Sequence, residues 1–262
     1  MNVPNNWDPS HYLQFQDLRL RPALDLLSRV PLADVQRLTD LGCGAGTVTP
    51  YICKLWQNAW VLGIDNSPEM LHRAEVLNPA LKVHWQQADI QGWSAPQPQD
   101  LIYSNAVLHW LDDHQTLFPH LMDQLAPGGT LAIQMPNQQA EPSHVLMNEV
   151  AAKGPWASTL EPLLREAPVA DMGDYYDWLK PLSETLDIWE TTYAQVLDGD
   201  DPVLDWIGST ALKPLSEALD PEMRKMFVNA LAQELARAYP KRQDGKTVFP
   251  FRRLFMVATR PQ

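Results

Sequence analysis

Between Thr39 and Tyr51 the chain reads TDLGCGAGTVTPY, an aspartate (Asp40) followed by glycines at 42, 44 and 46. Glycines at alternate positions let a backbone turn approach a ligand closely, because no Cβ stands in the way. A dinucleotide fingerprint, GxGxxG, would place its third glycine at 47, where this chain has Thr47. The spacing D-x-G-x-G-x-G from Asp40 therefore does not match a turn built for a pyrophosphate. A second carboxylate, Asp65 in VLGIDNS, stands 19 residues after Gly46. At the end of a strand it can accept both hydroxyls of a ribose, or it can cap the helix that starts near Ser67. Cys43, inside the glycine turn, has no cationic neighbour in sequence and is expected to be a small filler.

These residues need elements to hold them. VQRLTDL (35–41) reads as a buried strand, and the segment TPYICKLWQ after the glycines reads as a helix. AWVLGID (59–65) is a second strand and SPEMLHRAEVL (67–77) a helix, with Ser67 as N-cap, Pro68 in the first turn and Glu69 at the favoured end of the dipole. LKVHWQQAD (81–89) and DLIYSNA (100–106) are a third and fourth strand. HQTLFPHLMDQL (114–125) is a helix that stops at Pro127-Gly128-Gly129, and TLAIQMP (130–136) a fifth strand. Strands alternating with helices imply a parallel sheet covered on both faces. After Pro136 the rhythm changes: helical stretches fill 137–186, DIWETTYAQVL (187–197) is a strand, 200–238 is helical again, and RRLFMVATR (252–260) supplies the last strand.

The bulk numbers narrow the partners. With 262 residues, 45% of them hydrophobic, the chain can bury a sizeable core. A formal net charge of −12 argues against a nucleic-acid partner, which requires a concentrated basic surface. Two cysteines, Cys43 and Cys53, are too few for a disulfide framework, and no HExxH or CxxC pair offers a metal site. The opening MNVPNNWDPSHYLQF does not read as a signal peptide, and no run approaches the ~18 apolar residues of a membrane span. A cytoplasmic protein with no membrane partner is expected. Composition does not fix the oligomeric state, and a monomer fits.

The segment DLGCGAG resembles motif I of class I S-adenosylmethionine (SAM) methyltransferases. That resemblance implies a Rossmann-like α/β sheet of strand order 3-2-1-4-5-7-6, with SAM as cofactor. It implies cofactor contacts from Asp40, Gly42, Gly44 and Gly46, from Asp65 and Asn66 after the second strand, and from Asp89 and Ile90 after the third, where the adenine is bordered. Asn105 in SNAVLHWL lies where the family runs beneath the methionyl group.

A narrower resemblance covers nearly the whole chain. NWDPSHYLQFQDLRLRPALDLLSRVPL, the pair His109-Trp110, EPSHVLM, DIWETTY and FRRLFMVATR are together similar to the trans-aconitate 2-methyltransferase family. The family transfers a methyl group from SAM to one carboxylate of a small tricarboxylic acid. It implies a single methyltransferase domain over 1–262, a lid of N-terminal helices over 1–30 with Trp7 and Tyr12 against the cofactor, and helical substrate-cap insertions at 137–186 and 198–250. It also suggests where the acid is held: Arg165, Lys213, Arg252 and Arg253, with His109, Tyr175 and Tyr176 as further positioning candidates. Each cation could instead be a solvated or salt-bridged surface residue, and His109 a ring packed against Trp110.

No catalytic base is expected, because a carboxylate with a pKa near ~4 is already ionised at neutral pH. A multiply anionic acceptor instead needs cations, for which the planar fork of arginine is suited. Two other readings remain open at this point: a SAM-dependent enzyme acting on an oxygen, nitrogen or carbon centre of another metabolite, and a SAM-binding module without turnover. A nicotinamide dehydrogenase is disfavoured by Thr47.

Overall fold

The computed structural model describes residues 16–32, 34–164, 168–208 and 210–262. Trp7, Tyr12 and Arg165 lie outside the described residues. After helix α1 (Gln16–Leu27) come β1 (Arg37–Leu41), α2 (Thr49–Leu55), β2 (Trp60–Asp65), α3 (Pro68–Leu77), β3 (Val83–Gln87) and β4 (Gln99–Asn105). Then follow α4 (His114–Asp123), β5 (Leu125–Pro136), α5 (Pro142–Lys153), α6 (Ala157–Leu160), α7 (Met172–Leu179) and β6 (Thr185–Leu197). The chain closes with α8 (Pro202–Gly208), α9 (Lys213–Glu217), α10 (Pro221–Ala238) and β7 (Thr247–Thr259). Seven strands form one sheet in the order β3-β2-β1-β4-β5-β7-β6, as the motif resemblance implied.

Strand β1, RLTDL, is almost wholly buried, its Thr39 and Asp40 included, and β2 and β4 flank it in parallel register. Ser67 caps α3 as expected, accepting from the Met70 amide at 3.3 Å, with Pro68 in the first turn. Two strands differ from the sequence reading. The fifth begins at Leu125, not at residue 130, so the Pro127-Gly128-Gly129 signal lies inside it. The ladder with β4 passes from Gln99↔Leu125 to Leu101↔Thr130, and residues 126–129 bulge out between those pairs. A proline without an amide hydrogen is tolerated there because the ladder skips it. The last strand begins at Thr247, not at residue 252, and runs through Pro250. Its antiparallel pairing with β5 stops at Pro136↔Arg253, so Pro250 lies beyond that ladder.

The chain divides into two compact units. One holds residues 19–136, 168–191 and 253–262 and contains β1 to β5. Its core joins sheet residues such as Leu41, Ile102 and Ile133 to Phe118 of α4 and to Tyr175 and Leu179 of α7. The other holds 137–167 and 192–252, with α10 packed on α5 around Trp156, Trp206, Phe227 and Phe249. Among the described residues no helix is long and apolar enough to cross a membrane.

Phe118 has no exposed surface and lies 4.9 Å, ring to ring, from Tyr175. The Phe118→Ala variant is expected to lose about 3–5 kcal/mol of stability, read as a lower midpoint in denaturant unfolding followed by circular dichroism.

Candidate active site

The glycine turn follows β1 directly, at the carboxyl ends of the parallel strands, where open α/β sheets bind ligands. Gly42, Gly44 and Gly46 all have positive φ, at 78°, 55° and 69°. Gly42 needs its missing Cβ for space as well as for angle: a Cβ there would stand 2.4 Å from Val107 Cγ1. At Gly44 a Cβ would meet nothing within 4 Å. That open approach is what a ligand-facing backbone requires.

Two carboxylates hold the turn. Asp65 Oδ2 accepts from the Gly44 amide at 2.9 Å, and its Oδ1 accepts from the Ser67 amide at 2.9 Å. It thus supports both the turn and the start of α3. Burial raises its pKa, and the amides that donate to it oppose the rise. Asp40 lies beneath the turn, 3% exposed, with Oδ2 accepting from Thr49 Oγ1 at 2.7 Å. Burial first, and then the charge of Asp65, push its carboxyl up to about 7, while the Thr49 hydroxyl opposes the rise. Burial also pushes the Cys43 thiol up, which makes it an inert filler.

Asn66 and Asp89 are exposed. The Asn66 carbonyl accepts from Gln87 Nε2 at 3.1 Å, and Asp89 Oδ1 accepts from the Gln91 amide at 3.1 Å, capping a 3-10 turn. In that turn Ile90 is buried, and Trp93 follows it into the core with a buried indole N–H that has no partner among the described residues. Asn105 ends β4, and its Oδ1 is also buried without a partner among the described residues. The next residue, Ala106, has φ 55°, an uncommon conformation for a side chain bearing Cβ.

Acceptor-side candidates fall into different surroundings. His109 sits in the 3-10 turn Leu108–Trp110, its ring 4.8 Å from that of Trp110 and tilted by 41°. Tyr175 is fully buried, and of its two possible roles packing is the one observed. Its hydroxyl is 2.6 Å from His114 Nδ1 and accepts from the Ala170 amide at 3.2 Å. Tyr176 on the same helix is half exposed. Arg253 is buried, with Nη1 donating to Gln134 Oε1 at 3.1 Å. In the other unit, Lys213 Nζ is 3.8 Å from Glu217. There also Arg252 Nε donates to the Asn137 carbonyl at 3.1 Å and lies 3.5 Å from Glu141.

The methyltransferase-domain family matches residues 38–129 of the chain. A trans-aconitate 2-methyltransferase of Azoarcus sp. (strain BH72) is 46% identical over 254 residues, covering 97% of this chain and 99% of its own length. Another, from Pseudomonas aeruginosa (strain UCBPP-PA14), is 43% identical and covers 97% of this chain and 94% of its own. The chain belongs to the trans-aconitate 2-methyltransferase family. It is a SAM-dependent methyltransferase. Solved structures agree on the fold. YcgJ from Bacillus subtilis superposes with a TM-score of 0.60 at 14% identity, over 92% of this chain and 99% of that one. Haemonchus contortus phosphoethanolamine N-methyltransferase 2, solved in complex with SAM, gives 0.54 at 18% identity over 92% of this chain and 53% of its own.

For a trans-aconitate 2-methyltransferase family member, the residues around the turn fit SAM. The open side of Gly44 leaves room for it, and the unpartnered Oδ1 of Asn105 is an acceptor for a donor such as an ammonium. Three contributors were not legible from residue type. Thr49 ties α2 to Asp40. His114 Nε2 bonds to the Leu108 carbonyl at 3.0 Å and so positions the turn that carries His109. Gln134 meets Arg253. Gln134 is a single polar residue in an apolar run with its partner 119 residues away, whereas Thr49 and His114 stand among other polar residues and meet partners nine and six residues back.

Asp40 makes a pH-dependent contribution with a definite sign. Its carboxyl titrates near 7 in the folded protein against 3.8 ordinarily, so between those values the folded state binds the extra proton. Stability contributed through this group is therefore present below pH ~4 and declines as pH rises towards 7. The cofactor-free Asp40→Asn variant is expected to lose less Tm than the parent between pH 5 and 8, read by calorimetric scans. Equal losses would remove Asp40 as the cause.

Proposed function

We propose that this enzyme transfers the methyl group of SAM to one carboxylate of trans-aconitate, giving a monomethyl ester and S-adenosylhomocysteine. The observation that carries the acid as substrate is near full-length identity above 40% to relatives named for that reaction. SAM supplies a methyl carbon activated by a sulfonium. The chain's own residues bind and orient. The Gly42–Gly46 turn and the carboxylates of Asp40 and Asp65 hold the cationic cofactor, with Asp65 placed for the ribose hydroxyls once it exchanges its bond to the Gly44 amide. Asn66, Asp89, Ile90 and Asn105 complete the cofactor contacts.

The acceptor carboxylate is ionised at neutral pH, so no protein group has to remove a proton. One of its oxygens forms the bond to carbon as the carbon–sulfur bond breaks, and the electron pair stays on sulfur. No proton moves in that step. What remains for the protein is alignment, which can supply much of the rate as effective molarity. Arg253 is the cation we place first for the acid, because its guanidinium is buried and its orientation is fixed by Gln134.

Incubation with radiolabelled SAM and saturating trans-aconitate is expected to give an extractable labelled ester, and absence of label would overturn the choice of substrate. At saturating SAM, kcat is expected to be flat above pH ~6; a rate climbing tenfold per pH unit would point to an acceptor that must lose a proton. Asp65→Ala is expected to weaken SAM binding at least tenfold by calorimetry, and unchanged affinity would refute the ribose role.

A further inference from the structure

Gln134 lies in β5 between Ile133 and Met135, and it has no exposed surface. An amide in such a run needs partners for both of its ends. One end is satisfied, since Arg253 Nη1 donates to Oε1 at 3.1 Å. A guanidinium carries donors only, so this contact fixes which end of the amide is the oxygen. The other end, Nε2, is therefore an N–H donor of known orientation. It is buried and has no hydrogen-bond partner among the described residues.

Its position in the sheet says what the missing acceptor is. Asn105, at the end of β4, is the register partner of Gln134 across the parallel ladder, and Arg253 on β7 pairs at Pro136, two residues further along β5. Asn105, Gln134 and Arg253 thus form a row across three strands, starting one strand from the glycine turn. Asn105 offers an unpartnered acceptor, and Gln134 offers an unpartnered donor beside a guanidinium. A cationic amine suits the first, and a carboxylate suits the second.

We propose that Gln134 fixes which carboxylate of the acceptor acid receives the methyl group, its Nε2–H donating to one oxygen of that carboxylate beside Arg253. The inference rests on the functional reading above. A guanidinium gripping both oxygens would draw charge from the nucleophile and occupy both lone-pair directions. A single neutral N–H holds one oxygen and leaves the other free to attack, so the amide aligns the group with less loss of nucleophilicity.

The test compares the parent enzyme with Gln134→Leu, which removes the donor at similar volume, and Gln134→Glu, which keeps the shape and presents a carboxylate instead. Three quantities are read: kcat/KM for trans-aconitate, calorimetric Kd for SAM, and the identity of the ester by NMR. Gln134→Leu is expected to lose at least tenfold in kcat/KM, to keep its SAM Kd within twofold, and to give a mixture of monomethyl esters where the parent gives one. Gln134→Glu is expected to lose at least as much, again with SAM binding intact, and that binding certifies that the variant is folded. Either variant keeping kcat/KM within twofold and a single ester would overturn the proposal. So would a loss of SAM affinity parallel to the loss of rate. Failure of the parent itself to methylate trans-aconitate would instead overturn the functional reading.

Discussion

The Asp65 carboxylate bonds the loop after β1 and the helix after β2 to each other, and the cofactor site depends on that bridge. One oxygen accepts from Gly44, in a turn whose positive φ values would otherwise leave the backbone poorly determined; the other accepts from Ser67 at the head of α3. The bridge orders the turn before any cofactor arrives. In the proposed function, that carboxylate exchanges one of these bonds for those of a ribose. Preorganisation of this kind lowers the entropy lost on binding.

Beneath the turn, Asp40 is a carboxyl that the fold buries with no cation paired to it among the described residues. The Thr49 hydroxyl donates to it, and the nearby Asp65 opposes its ionisation. A buried carboxyl of that kind is costly to ionise, and a bound cation relieves the cost. SAM is cationic at its sulfonium and amine. In the proposed function the two acids form an electrostatic complement to the methyl donor, and Gln134 and Arg253 form one to an anionic acceptor. Donor and acceptor chemistry are separated across the carboxyl edge of a single sheet.

Much of the fold was legible in order along the chain. Strand and helix alternation from 35 to 136 follows from apolar runs separated by amphipathic segments, and Ser67-Pro68-Glu69 marked a helix start that is observed. The misplaced strand starts share one cause. Pro127 and Pro250 are local stop signals, and what decides whether a proline can lie in a strand is whether a neighbour needs its amide. Sequence carries the residue, but not the neighbour.

The same division applies to the site. The glycine spacing by itself spoke against a pyrophosphate turn, because it is set by backbone conformation over a short stretch, and the resemblance of DLGCGAG to motif I pointed to SAM. Residue type alone could not separate Tyr175 from Tyr176: helical geometry turns one into the core against His114 and leaves the other half exposed. Nor could it single out Gln134, one of many glutamines, whose meaning comes from a strand 119 residues away that brings Arg253 to its oxygen. Local spacing fixed what approaches the backbone. Which polar atoms are buried, paired or left waiting for a partner was decided only when distant strands came side by side, since burial and hydrogen-bond satisfaction are properties of the packed sheet.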